Sequence, residues 1–169
     1  MNEALPSRTE NKIADLVLDD EGYYRVVLSH FGRPNVSGDI YRPLVQLQLD
    51  VLNEKEAICG ELGQPVVDRP PSQEGFQRLM SVELSNVAIA LKDFQARDLG
   101  EGVQEISAKV QPWGPKAHVL EEKLASGEGS IYFGMRAVTE HYAGDSDRMI
   151  YTFVSWDLID FDPYPPKST

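Results

Sequence analysis

Apolar and polar positions first alternate between Tyr23 and Phe31, where Tyr24, Val26 and Leu28 interleave with Arg25, Val27 and Ser29. A two-residue period predicts a strand. The run Gly32-Arg33-Pro34-Asn35-Val36-Ser37-Gly38 has the composition of a turn. From Pro43 to Asn53 the period lengthens: Leu44, Leu47 and Val51 recur at helical spacing, and Pro43 suits a first helical turn. Ala57 to Leu62 returns to strand character, followed by a proline-rich loop from Pro65 to Ser72. Leu84 to Leu91 and Val103 to Val110 predict two further strands, with Asp98-Leu99-Gly100-Glu101-Gly102 turning between them. A helix begins at Pro112-Trp113-Gly114-Pro115, carries Val119, Leu120 and Leu124 on its apolar face to about Ser126, and stops at Gly127-Glu128-Gly129. Ser130 to Val138 and Met149 to Ile159 close the series as late strands. This order predicts a single α+β domain, with a mostly antiparallel, barrel-like sheet flanked by two or three helices. Residues 1–12 read as an N-terminal arm, 13–161 as the domain and 162–169 as a proline-rich tail.

Composition narrows the function classes. A chain of 169 residues with 41% hydrophobic and 25% charged residues is large enough for one core and has a globular balance. A net charge of -11, with no run of Lys or Arg, argues against nucleic acid as a partner. No segment approaches the ~18 apolar residues of a membrane span, and the polar start has no signal-peptide core. Cys59 is the one cysteine, so no intrachain disulfide forms, and a reducing compartment is the default. Its apolar setting, Ala57-Ile58-Cys59-Gly60, fits an inert thiol.

Chemistry-bearing residues are sparse. His30, His118 and His141 are scattered, show no zinc-ligand spacing with Cys59, and read as ordinary solvated or core histidines. Asp19-Asp20-Glu21 and Asp145-Ser146-Asp147 resemble solvated turns and lack the ligand ladder of a calcium loop. Gly127-Glu128-Gly129 places an acid where a phosphate would be repelled. No metal and no cofactor is expected. Trp113, Trp156, Tyr132, Phe133 and Phe153 read as core, and Phe161 and Tyr164 belong to a frayed tail or an extended docking segment.

Six short pieces, in order, carry a resemblance. They are the turn Phe31 to Tyr41, Gly60-Glu61-Leu62-Gly63-Gln64-Pro65, Leu84-Ser85-Asn86-Val87-Ala88-Ile89, Pro112-Trp113-Gly114 with its helix and the exit Ser126-Gly127-Glu128-Gly129, Gly134-Met135-Arg136-Ala137, and Trp156-Asp157-Leu158-Ile159. Over roughly Val26 to Pro163 the chain resembles the prohead (head-maturation) serine proteases of large tailed phages. The resemblance implies a herpesvirus-protease-like fold. It also implies a triad: a histidine base at the position of Gln64, a serine nucleophile near Gly134 or Met135 (Tyr132 in a shifted pattern), and a third member at Asp157.

Glutamine cannot accept the nucleophile's proton near neutrality, and none of Tyr132, Gly134 and Met135 offers a reactive serine or cysteine. The triad therefore reads as lost, with no catalytic residue expected and Ser130 as the fallback nucleophile. On a strand Ser130 lies about 13 Å from Gly134. Gly60, Glu61, Gly63, Gln64, Tyr132, Gly134 and Arg136 then become the expected lining of a peptide-binding cleft. The implied partners are phage capsid, scaffold or core proteins, with homo-oligomerisation left open. The implied setting is the host cytoplasm and the prohead or virion. Two alternatives stand beside this reading: an active maturation protease with a relocated nucleophile (Ser130 or Ser85, with His141 or His118 as base), and an interaction module that shares only the fold.

Overall fold

The computed structural model describes residues 9–36, 38–68, 70–141 and 147–159. Among them the elements run β1 (Thr9–Lys12), β2 (Tyr24–Phe31), β3 (Ile40–Tyr41), α1 (Gln46–Asn53), β4 (Ile58–Glu61), α2 (Gln73–Leu79), β5 (Val87–Gly100), β6 (Val103–Pro112), α3 (Ala117–Ser126), β7 (Ser130–His141) and β8 (Asp147–Ile159). The strands form two four-stranded sheets, ordered β1-β7-β8-β3 and β2-β6-β5-β4. All pairings are antiparallel except β3 with β8. The α+β, mostly antiparallel expectation holds, as two curled sheets rather than one.

The sheets meet along both flanks. On one side Leu62 bridges Leu158 in parallel, and β4 approaches β8 so closely that a Cβ on Gly60 would stand 2.1 Å from the Trp156 carbonyl oxygen. Only glycine fits such a backbone approach. On the other side Asn11 of β1 uses its carboxamide as a strand would: it donates to the Val27 carbonyl at 2.8 Å and accepts the Val27 N–H at 2.9 Å. In the core Phe31, Phe133, Trp156, Leu28, Ile89, Leu91, Ile106 and Leu120 are fully buried.

Local signals explain much of this. The β5–β6 hairpin turns through Glu101 (φ 55) and Gly102 (φ 78), the double left-handed turn that suits strand twist. Gly127 (φ 69) caps α3 in the left-handed conformation.

Several expectations are corrected. Residues 9–12, assigned to a free arm because they are polar, form β1 against β7, with Thr9 and Asn11 buried. The face of α1 is Leu49 and Leu52, at 7% and 5% exposure; Leu47 and Val51 point outward at 71% and 51%. The element itself starts at Gln46, three residues after Pro43, where Gln48 Oε1 accepts the Val45 N–H at 3.0 Å. α3 begins only at Ala117, because Gly114 (φ 85) packs on Val87 and turns the chain first. Trp113 on that turn is 55% exposed rather than core. α2 is an addition: it follows the proline-rich loop, is capped by Ser72 Oγ accepting the Gly75 N–H, and buries none of its own residues. β5 extends nine residues past the expected Leu91. The tail with Phe161 and Tyr164, residues 1–8, and Asp145 and Ser146 lie outside the described residues.

Candidate functional site

β4 ends at Glu61, and the chain turns through Gly63 (φ 72). Two backbone bonds hold the turn: Leu62 N–H to the Asn86 carbonyl at 3.0 Å and Gly63 N–H to the Leu158 carbonyl at 2.7 Å. It delivers Gln64 onto β7 at Gly134. A Cβ built on Gly134 would lie 2.7 Å from Gln64 Nε2, 2.8 Å from its Cδ and 3.1 Å from its Oε1. The carboxamide thus fills the volume that a side chain at 134 would need, and its Nε2 donates to the Met135 carbonyl at 3.1 Å. The two positions that the resemblance pairs as base and nucleophile are in contact. They hold an amide and a hydrogen atom.

This contact has a measurable signature. Gly134→Ala pushes the flexible end of Gln64 aside and breaks its bond to the Met135 carbonyl, a cost of about 1 kcal/mol, and Gln64→Ala removes the same bond at about the same cost. In the double variant that bond is lost only once, so urea denaturation is expected to show about 1 kcal/mol of favourable coupling. Strict additivity would mean that the two residues do not share this space.

Behind the contact lies a buried ionic network. Arg136 on β7 donates from Nε to Asp157 Oδ2 at 2.6 Å, and from Nη2 to Asp157 Oδ1 at 3.1 Å and Glu61 Oε2 at 2.9 Å. Its Nη1 reaches the carbonyls of Leu79 at 3.2 Å and Ser81 at 2.8 Å, tying down the end of α2. Arg78 on α2 adds a fork onto Glu61, at 2.9 and 2.6 Å. Glu61 also accepts the Glu83 N–H and the Asn86 amide, each at 3.1 Å. Glu61 and Asp157 are both 0% exposed and Arg136 is 6% exposed. Since α2 buries no residue of its own, these charged bonds do most to fix it over the sheet.

The two carboxyls respond differently to this setting. Burial pushes Glu61 up, but the Arg78 fork, the Glu83 N–H, the Asn86 amide and the Arg136 charge outweigh it and hold the group at about 2. Burial also pushes Asp157 up, and Arg136 offsets this only in part, so its carboxyl stays above the usual aspartate value.

The other expected residues are placed as follows. Asp157 faces Gly134 across the β7–β8 pair. Its carboxylate is engaged by Arg136 and by the Glu61 N–H at 3.0 Å, which makes it a member of the network. Tyr132 pairs with Glu10 on one side and Ile159 on the other. Ser130 sits at the far end of β7, where its Oγ donates to Glu10 Oε1 at 2.6 Å. Ser85 lies in a short 3-10 turn, residues Leu84–Asn86. His118 is exposed on α3, His30 Nε2 stands 3.5 Å from Glu105 Oε2, and the side chain of His141 lies outside what is described. Burial pushes the Cys59 thiol up, away from thiolate. Among the described residues no group of three or more His, Cys, Asp or Glu is placed to hold a metal ion, and no helix is long and apolar enough to cross a membrane. Sequence reasoning singled out Glu61, Arg136 and Asp157 separately but missed Arg78, Glu83 and Asn86. A glutamate closing an apolar strand was the available signal, since a buried carboxylate needs a cationic partner.

The turn thus carries Gln64 onto Gly134, with Asp157 opposite on the neighbouring strand. Residues 3–163 match the model of the Peptidase S80 family, and the chain belongs to that family. It is thus a homologue of the phage prohead proteases. Among solved structures it is similar to the bacteriophage T4 capsid assembly protease, gp21, with a TM-score of 0.52 and 12% sequence identity, over 92% of this chain and 98% of that one. Comparison with curated protein sequences gives no match.

Proposed function

We propose that this chain serves phage head assembly as a non-cleaving member of its family, holding extended segments of capsid, scaffold or core proteins in the former cleft. The observation that carries this reading is the Gln64 amide seated on Gly134 and bonded to the Met135 carbonyl. A peptidase needs a hydroxyl or thiol there and a base within hydrogen-bond reach. An amide and a glycine supply neither. Among the described residues β1 pairs with β7 over Ser130–Phe133, and an extended segment held beside the Gln64–Gly134 contact would be bound by strand addition. Membership of Peptidase S80 and the fold shared with a capsid assembly protease support the setting.

The test combines two measurements. A serine-directed fluorophosphonate is expected to leave the protein unlabelled, and incubation with co-encoded head proteins is expected to give binding without cleavage. Labelling abolished by Ser130→Ala, or cleavage of a head protein, would sink the proposal in favour of a relocated nucleophile. Ser130 is poorly placed for that role, because it lies four residues along β7 from Gly134, about 13 Å on a strand.

A further inference from the structure

The chain leaves the sheet after Glu61 and returns at Val87, and these two residues are strand partners. The neck between them closes without help from α2. Leu62 N–H donates to the Asn86 carbonyl at 3.0 Å, and Asn86 Nδ2 donates back to the Leu62 carbonyl at 2.9 Å. α2 lies beyond the neck. It buries no residue of its own, Phe76 is 50% exposed, and among the described elements none packs along its length.

The bonds that hold α2 down converge on two side chains. Arg136 Nη1 donates to the Leu79 and Ser81 carbonyls, and Glu61 accepts the Arg78 fork and the Glu83 N–H. Lifting residues 72–83 breaks these bonds, yet Arg136 stays on Asp157 and Glu61, and Asn86 stays on Glu61. The sheet therefore keeps a paired charge set. Arg78 returns to water, and little apolar surface is uncovered, so such an opening costs far less than unfolding the domain. Its place matters for the site. The end of α2 is bonded to Arg136, and Gly134 lies two residues along β7 on the same face.

We infer that residues 72–83 are a lid, latched by Arg78 and Arg136, which closes one end of the cleft at Gln64 and lifts to admit a longer protein segment. The gating rests on the binding reading above; the motion of the lid does not.

The experiment follows amide exchange of the full-length protein by NMR in rising, sub-denaturing urea. The Phe76 and Met80 amides, bonded to the Ser72 and Phe76 carbonyls, and the Glu83 amide are expected to exchange through one shared opening with little urea dependence. The Leu62 amide at the neck is expected to exchange at least about 100-fold more slowly and to accelerate steeply with urea. Arg78→Met, at a side chain 32% exposed, is expected to speed exchange of the α2 amides about tenfold, the scale of a charged fork with one partner wet. A second arm uses overlapping peptides spanning the co-encoded capsid and scaffold proteins. Those that bind are expected to bind Arg78→Met about tenfold more tightly, because the open state is populated that much more. Amides of α2 that exchange only together with the neck, or at the parent rate in Arg78→Met, would overturn the lid. Faster opening with unchanged peptide affinity would overturn its role as a gate. If no peptide binds parent or variant while the shared opening persists, the binding reading and the gate both fall and the lid stands.

Discussion

Replacing Arg136 by methionine is expected to cost about 3–5 kcal/mol of folding stability in urea denaturation, because it leaves the buried Asp157 carboxylate without its cation and beside Glu61, which keeps Arg78. Both acids are fully buried, and the arginine contacts each of them at 3.1 Å or less. The substitution also leaves the Leu79 and Ser81 carbonyls without the Nη1 donor, which releases the end of α2. Arg78→Met is the informative contrast. Its side chain is 32% exposed, and Glu61 keeps Arg136, Asn86 and the Glu83 N–H when it is gone. A loss of about 1–2 kcal/mol is expected, the scale of charged hydrogen bonds with one partner wet. An Arg136→Met protein within ~1 kcal/mol of the parent would mean that the network contributes far less than a buried charge set should.

The second large effect is acid sensitivity centred on Glu61. Its folded value of about 2 lies below the ordinary 4.5. The folded state therefore favours the ionised form, and that contribution is complete above 4.5 and is lost as pH falls toward 2. A displacement of this size corresponds to about 3 kcal/mol. Asp157 acts in the opposite sense. Raised by burial, it takes up its proton more readily in the folded state than in the unfolded chain, so it offsets part of the acid loss. Glu61→Gln separates the two. The stability gap between parent and variant is expected to close by about 3 kcal/mol between about pH 5 and about pH 2 at constant ionic strength. A gap that stays constant over that range would refute the assignment of the window to Glu61.

How much of this was legible beforehand depends on whether a residue's role is local. The strand at Tyr24, Val26 and Leu28, the hairpin at Gly100–Val103 and the stop at Gly127 follow from alternation and left-handed turns, so they could be read directly. The phase of α1 could not. Leu44, Leu47 and Val51 have helical spacing, and so do Leu49 and Leu52; packing against β5 and β8 decides which row is buried. β1 escaped because Asn11 joins β2 through its side chain, a bond that hydropathy does not register. α2 escaped because it is held by charge and buries no apolar face. At the site, the meeting of Gln64 with Gly134 followed from the family resemblance and not from periodicity, since the two are 70 positions apart in the sequence. The mutual pairing of Glu61, Arg136 and Asp157 needed the fold itself.

The order of the strands also constrains how the molecule can be made. The sheet β2-β6-β5-β4 draws only on residues 24–112, whereas β1-β7-β8-β3 takes strands from both ends of the described chain. Thr9 waits for Phe133, and Ile40 for Asp147. During synthesis the first sheet can therefore assemble whole while its partner has only β1 and β3, two short strands that cannot pair with each other. Contacts this distant in sequence are slow to close, because loop entropy is lost before they repay it. Until β7 and β8 have emerged from the ribosome, the apolar face of the early sheet has no complete sheet to cover it. That interval, rather than the finished protein, is where this chain is most exposed to aggregation.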